Sequence, residues 1–181
     1  VRSAYAEEYG KWVQEDDCIA NAIPDGCTSA DGLGPRGGEF FVSLVTKAKV
    51  ESPVVVSSRM SFEPEMAPLI VFNNNLALRS DGEYEFDKHI EVVLYNEGIN
   101  VWRHFGKNND PRWVRAAYSY FTLQPNTIYD LQIEIKDNEM KVTVGDKVFG
   151  CYVPELSQPY HAGIMACEGL NKFYDFKIKP L

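Results

Sequence analysis

The sequence predicts an all-β domain built from two packed antiparallel sheets, and three observations carry that expectation. Short β-branched and aromatic runs recur along the chain, separated by clusters of Gly, Pro, Asn and Asp. Several runs alternate apolar with polar residues, which gives a strand one buried face and one wet face. No convincing helical pattern competes with them. Many antiparallel strands with one buried face and short turns fold as a sandwich or a barrel.

The first element after the N-terminal stretch is a loop, 25–38 (DGCTSADGLGPRGG), rich in Gly, Asp, Ser and Pro and without an apolar period. It is not a domain boundary, because the segment before it is too short to form a core. Strands are expected over 40–50, 54–62, 69–72, 89–95, 99–105, 113–123, 128–136, 140–149, 162–167 and 173–178. Alternation is clearest where Tyr129, Leu131, Ile133 and Ile135 face one way and Asp130, Gln132, Glu134 and Lys136 the other. Met140, Val142 and Val144 repeat it across a turn at Asp137 and Asn138. Tyr174, Phe176 and Ile178 repeat it again, with Lys177 and Lys179 outward. Asn73, Asn74 and Asn75 end a strand and build a turn, since Asn tolerates left-handed backbone. Glu83, Glu85 and Asp87 read as an acidic loop. No internal repeat divides the 181 residues, so 1–181 is expected to be one sandwich domain.

Composition narrows the partners. Apolar residues make up 45% of the chain and aromatics 13%, enough for one core, and no stretch approaches the ~18 uninterrupted apolar residues of a membrane span. A net charge of −8 argues against nucleic acid or an anionic bilayer, both of which need clustered Lys and Arg. A neutral sugar stays compatible. The chain starts at Val1 rather than Met, so any targeting signal is expected to have been removed already. The four cysteines show neither a CxxC pair nor zinc spacing. Bridges from Cys18 to Cys27 and from Cys151 to Cys167 would suit a secreted protein, and four buried thiols are the equal alternative.

The hairpin 89–105 allows its faces to be worked out. The turn falls at Asn96, Glu97 and Gly98, and with any even-numbered turn even positions of the first strand share a face with odd positions of the second. Ile90, Val92, Leu94, Ile99, Val101 and Phe105 then form a core face, with Arg103 a misfit. His89, Glu91, Val93, Tyr95, Asn100, Trp102 and His104 form the other, with Trp102 outside the core. Aromatic planes beside hydrogen-bonding groups on rigid strands suit a sugar, whose CH-rich faces stack on rings while its hydroxyls pair with polar groups. The plain alternative is a solvated or loop-covered sheet surface. Arg59, with Ser57 and Ser61 on a polar face of its own strand, and Tyr118 and Tyr120 in AAYSYF extend the candidate set.

The patch YGKWV, the hairpin IEVVLYNEGINVWRH, the pair IYDLQIEI and MKVTVGDKVF, and the ending HAGIMACEGLNKFYDFKIKPL together resemble the concanavalin A-like lectin and glucanase superfamily, in its laminin-G-like and 3-keto-glycoside-hydrolase-like branches. The resemblance implies a two-sheet jelly roll that holds its ligand on the concave face of one sheet. It implies that Arg59, His89, Glu91, Tyr95, Asn100, Trp102, His104, Tyr118 and Tyr120 line one groove. The expected function is that of a secreted, lectin-like carbohydrate-binding module recognising an oligo- or polysaccharide, within a protein that carries further domains. The alternative is a glycoside hydrolase or polysaccharide lyase, with His89, Glu91 and His104 as catalytic groups. The chain departs from the superfamily's glycosidase motif ExDxxE, whose two carboxylates sit about 5 Å apart. A third reading, a laminin-G-type interaction domain, implies a flat or calcium-rimmed surface.

Two metal questions arise. His89, Glu91 and His104 share a face and supply N and O ligands for a zinc-like ion, with a charged hydrogen bond between His and Glu as the alternative. A structural calcium suits the acidic residues Glu7, Glu8, Glu15, Asp16 and Asp17 together with Asp175, with Glu15, Asp17 and Asp175 the leading candidates and ordinary solvated acids the alternative.

Overall fold

Alternating apolar and polar side chains are realised as two antiparallel sheets whose apolar faces meet. The computed structural model describes residues 5–9, 12–22, 42–63, 67–78, 84–86, 88–105, 112–167 and 170–181. One sheet has seven strands, in the spatial order β1 (Tyr5–Tyr9), β4 (Val42–Thr46), β15 (His161–Cys167), β6 (Ala67–Asn73), β9 (His89–Tyr95), β10 (Gly98–His104) and β11 (Trp113–Tyr120). The other has eight: β14 (Lys147–Tyr152), β13 (Glu139–Val144), β12 (Tyr129–Lys136), β5 (Val54–Phe62), β16 (Asn171–Phe173), β3 (Ile19–Asn21) and β2 (Trp12–Gln14), with β17 (Lys177–Pro180) also paired to β5. A separate hairpin joins β7 (Leu76–Leu78) to β8 (Tyr84–Phe86). Among the described residues no helix is long and apolar enough to cross a membrane.

The core lies between the sheets. Val42 and Leu44, Ile70 and Phe72, Ile90, Val92 and Leu94, and Ile99 and Val101 from the first sheet meet Val54, Val56, Met60 and Phe62, Leu131, Ile133 and Ile135, and Val142 from the second. Each fully buried aliphatic or aromatic side chain of this kind stabilises the fold by about 1.5–3 kcal/mol. Trp12 closes one edge, its ring edge-on to Phe173 at 5.8 Å and its indole N–H donating to the Ser43 carbonyl at 3.4 Å. Outer-face residues of the first sheet (Val45, Leu69, Val71, Val93 and Met165) form a second, smaller apolar cluster, against which Leu76 and Phe86 of the β7–β8 hairpin pack.

Several expectations are corrected. The stretch 140–149 is two strands, because a two-residue turn at Gly145 and Asp146, with Gly145 at φ +56°, reverses the chain between Val144 and Lys147. The stretch 173–178 is likewise divided between β16 and β17. Tyr84–Phe86 is a strand rather than an acidic loop, while Glu83 and Asp87 lie outside the described residues. Phe105 is not core: β10 ends at His104 and the ring is 42% exposed. Cys151 faces inward from β14 of one sheet and Cys167 belongs to β15 of the other, so the two are not bridged. Cys18 is a thiol whose Sγ donates to Glu15 Oε2 at 3.4 Å. The loop 25–38, with Cys27, and the side chains of Glu7 and Glu8 lie outside the described residues.

Candidate functional site

The β9–β10 hairpin has the register that parity requires: Leu94 pairs with Ile99, Val92 with Val101, Glu91 with Trp102 and His89 with His104. Ile90, Val92, Leu94, Ile99 and Val101 therefore enter the core, and His89, Glu91, Tyr95, Asn100, Trp102 and His104 project from the outer face of the seven-stranded sheet. Arg103, the misfit, faces the short 3-10 turn Pro154–Ser157, where its Nε donates to Glu155 Oε1 at 3.2 Å.

β11 extends this face. Asn100 pairs with Tyr118 and Gly98 with Tyr120, which places both tyrosines beside the hairpin. The register then shifts: Val101 pairs with Ala117 but Trp102 with Arg115, leaving Ala116 as an extra residue. This bulge turns Arg115 and Trp113 onto the same face as the tyrosines, where strict alternation would put them on the opposite one. The result is an open strip of rings, with Trp113 57%, Tyr118 53% and Tyr120 59% exposed. Arg115 lies over it, its guanidinium carbon 4.4 Å from the Tyr118 ring centre and 5.9 Å from that of Trp102, and its Nη1 donates to the Tyr120 hydroxyl at 3.3 Å. Trp102 is half-buried rather than peripheral, since one side of its ring packs on the outer apolar cluster.

Three polar side chains converge at one end of the strip. Glu91 accepts from both imidazoles, at 3.2 Å from His89 Nε2 and 3.1 Å from His104 Nε2, one on each carboxylate oxygen. The two rings stack at 4.2 Å, with Phe86 edge-on to His89 and Trp113 6.3 Å from His104. Burial alone would raise the Glu91 carboxyl. The hydrogen bonds from His104 and His89 outweigh it and hold the group at about 2, so Glu91 is an anion. At the other end, burial and the neighbouring Tyr120 push the Tyr95 hydroxyl up, partly opposed by its hydrogen bond with Asn100, which keeps Tyr95 a neutral phenol.

Arg59 does not join this group. It sits on β5 of the other sheet, pointing outward, with Nε 2.9 Å from Asp175 Oδ2. Asp175 also takes Lys177 at 2.8 Å, and Glu15 takes Lys172 at 2.7 Å, so two of the carboxylates expected to suit calcium are neutralised by cations. Among the described residues, Glu15, Asp17 and Asp175 form no convergent ligand group. Asn73–Asn75 does form the expected turn, the Asn75 N–H donating to Asn73 Oδ1 at 2.9 Å.

No family model matches the chain, and no curated protein does. Solved structures do. The chain is similar to the carbohydrate-binding module CBM66 from Bacillus subtilis, at 11% identity and a TM-score of 0.67, over 94% of this chain and 91% of that one. The likeness shows the fold, an antiparallel two-sheet β-sandwich of the jelly-roll kind. A similar jelly roll is β-agarase A from Zobellia galactanivorans, at 11% identity and a TM-score of 0.61 over 93% of this chain and 74% of that one. Another is a glycoside hydrolase family 16 endo-glucanase from Bacteroides ovatus, at 8% identity and a TM-score of 0.56 over 77% and 74%. On this jelly roll, Glu91 is the only carboxylate that the described residues of β9, β10 and β11 project onto the outer face. A retaining glycosidase needs two about 5 Å apart, one protonated as the acid and one ionised as the nucleophile, and the described residues of these three strands supply one.

Proposed function

We propose that this protein binds a carbohydrate chain along the outer face of β9, β10 and β11, as a lectin-like, secreted binding module. The observation that carries the proposal is the open row of Trp113, Tyr118 and Tyr120 along β11, beside Arg115 of the same strand and Asn100 and Trp102 of the adjoining β10. A contiguous row of exposed rings marks an interaction surface, and aromatic faces stack on the CH-rich faces of sugar units. Arg115 has no carboxylate partner among the described residues, so its donors are available to ring oxygens, hydroxyls or an acidic substituent. The similarity in fold to a carbohydrate-binding module and to enzymes of agarose and glucan supports the reading. Secretion is supported by the same likeness, and a net charge of −8 fits a partner other than nucleic acid. The experiment is a glycan array that includes laminarin, agarose and κ-carrageenan oligosaccharides, followed by calorimetric titration of the best ligand into the parent and into Tyr118→Ala. Saturable binding that weakens in the variant is expected. A parent that binds no glycan on the array overturns the reading.

One observation favours a second reading, a carbohydrate-active enzyme: the His89, Glu91 and His104 cluster at the strip's end. In that case an imidazole acts as the base and Glu91 orients it. His104→Ala then lowers turnover of a bound oligosaccharide by about 100-fold with binding retained. Failure to detect any product from the parent with a ligand it binds removes this reading.

A further inference from the structure

Among the described residues, His89, Glu91 and His104 are the one group of metal-ligating side chains that converges, with their ligand atoms all within 4.8 Å of one another. We propose that they bind one divalent transition metal ion of the zinc type, through His89 Nε2, His104 Nε2 and Glu91, leaving one coordination position open. The proposal is independent of the sugar reading and is tested with the metal alone.

Geometry supports it. Around a tetrahedral zinc with bonds of about 2.0–2.2 Å, neighbouring ligand atoms lie roughly 3.3–3.5 Å apart. The two nitrogen-to-oxygen separations here are already 3.2 and 3.1 Å. The donors stand on paired strands in fixed register, His89 directly across from His104 and Glu91 two residues along the same strand, so little chain entropy is lost on binding. The site is sheltered yet reachable, with side-chain exposures of 13%, 16% and 28% for His89, Glu91 and His104. Glu91 supplies the negative charge that a divalent ion needs, and two imidazoles with one carboxylate is a donor set that suits zinc and its first-row neighbours better than calcium or magnesium.

Two changes accompany binding. The imidazoles stack within 10° of parallel, so their Nε2 lone pairs must tilt toward a common point. Rotation about the soft terminal torsion of each histidine supplies the tilt. Each Nε2 that now donates to Glu91 must also give up its hydrogen, either to Nδ1 by tautomerisation or to solvent from a charged ring, and the nitrogen lone pair then forms the metal bond. Any ring that starts charged therefore releases one proton per ion bound.

The test uses the full chain after chelator treatment, titrated calorimetrically with Zn²⁺ and, separately, with Ca²⁺. One equivalent of Zn²⁺ is expected to bind and Ca²⁺ not to compete. His89→Ala and His104→Ala each weaken Zn²⁺ binding by about 100-fold or more. His161→Ala, which removes the chain's other histidine, leaves it unchanged. As a readout that does not depend on a variant's stability, Co²⁺ bound to the parent gives the intense visible bands of a tetrahedral N/O site without thiolate charge-transfer absorption. Absence of saturable Zn²⁺ binding by the parent, Zn²⁺ binding that persists in the His89→Ala/His104→Ala double variant, or a thiolate signature overturns the proposal. Glycan titration in the presence of chelator separates the two ideas: sugar binding that survives metal removal leaves the strip standing whatever the metal titration shows.

Discussion

At the scale of single residues, Glu91 is a carboxylate whose acidity the fold changes strongly. Its carboxyl is held at about 2 against an ordinary value of 4.5, so its contribution to stability is fully present above about pH 4.5 and is lost as pH falls toward 2. Urea unfolding from pH 6 to 2 should show the parent losing stability more steeply below pH 4.5 than Glu91→Gln, and the variant costing about 2 kcal/mol at neutral pH, as expected when a charged acceptor is withdrawn from two donors. Parallel pH profiles would contradict that account. The thiols give a second prediction. Burial pushes both Cys18 and Cys151 up to about 11, so they carry little thiolate and should react slowly with thiol reagents at pH 8 until the protein is unfolded. Non-reducing peptide mapping should find no link between Cys151 and Cys167, and finding one would mean that the two sheets are placed wrongly.

At the scale of elements, close approach of strands fixes where glycine is needed. A Cβ on Gly163 would stand 2.0 Å from the Leu44 carbonyl oxygen, because β4 and β15 meet there without space for a side chain. Gly163→Ala should therefore destabilise the protein by roughly 1–3 kcal/mol or more, measured by chemical denaturation, and a neutral effect would show that this strand pair is looser than described. Much of this level was legible in the sequence. The alternation of Leu131, Ile133 and Ile135 and the parity of the 89–105 hairpin each reappear as inward faces, because one buried face forces period 2. The rest was hidden for physical reasons. Trp113 and Arg115 reach the strip through the bulge at Ala116, and an inserted residue leaves no mark in the residue pattern. Arg59 looked like a partner of the hairpin because polar outer faces read alike, yet pairing with β12 and β16 puts it on the other sheet. The half-burial of Trp102 depends on the outer apolar cluster that Val45, Leu69, Val71, Val93 and Met165 form across four strands, which short-range spacing does not reveal. Trp102→Ala should accordingly lower the melting temperature as well as any ligand affinity.

At the scale of the whole molecule, the outer faces of the two sheets differ in how rings and charges are grouped, although the eight-stranded one also exposes Val148 and Tyr152 on β14. The outer face of the eight-stranded sheet carries ion pairs such as Arg59 with Asp175, Lys141 with Glu134 and Lys172 with Glu15, as a solvated surface does. The outer face of the seven-stranded sheet carries exposed rings at one side and the His89, Glu91 and His104 cluster next to them. The proposed binding function is thus placed on one face by what that face exposes. The most direct test is calorimetric titration of the array-identified glycan into the parent, Trp113→Ala, Tyr118→Ala and, from the opposite face, Arg59→Ala, with a melting curve for each. The account predicts that both ring variants lose at least about tenfold in affinity, about 1.4 kcal/mol, at an unchanged melting temperature, while Arg59→Ala binds as the parent does. Ring variants that bind like the parent, with Arg59→Ala losing affinity, would contradict it and move the site to the other sheet.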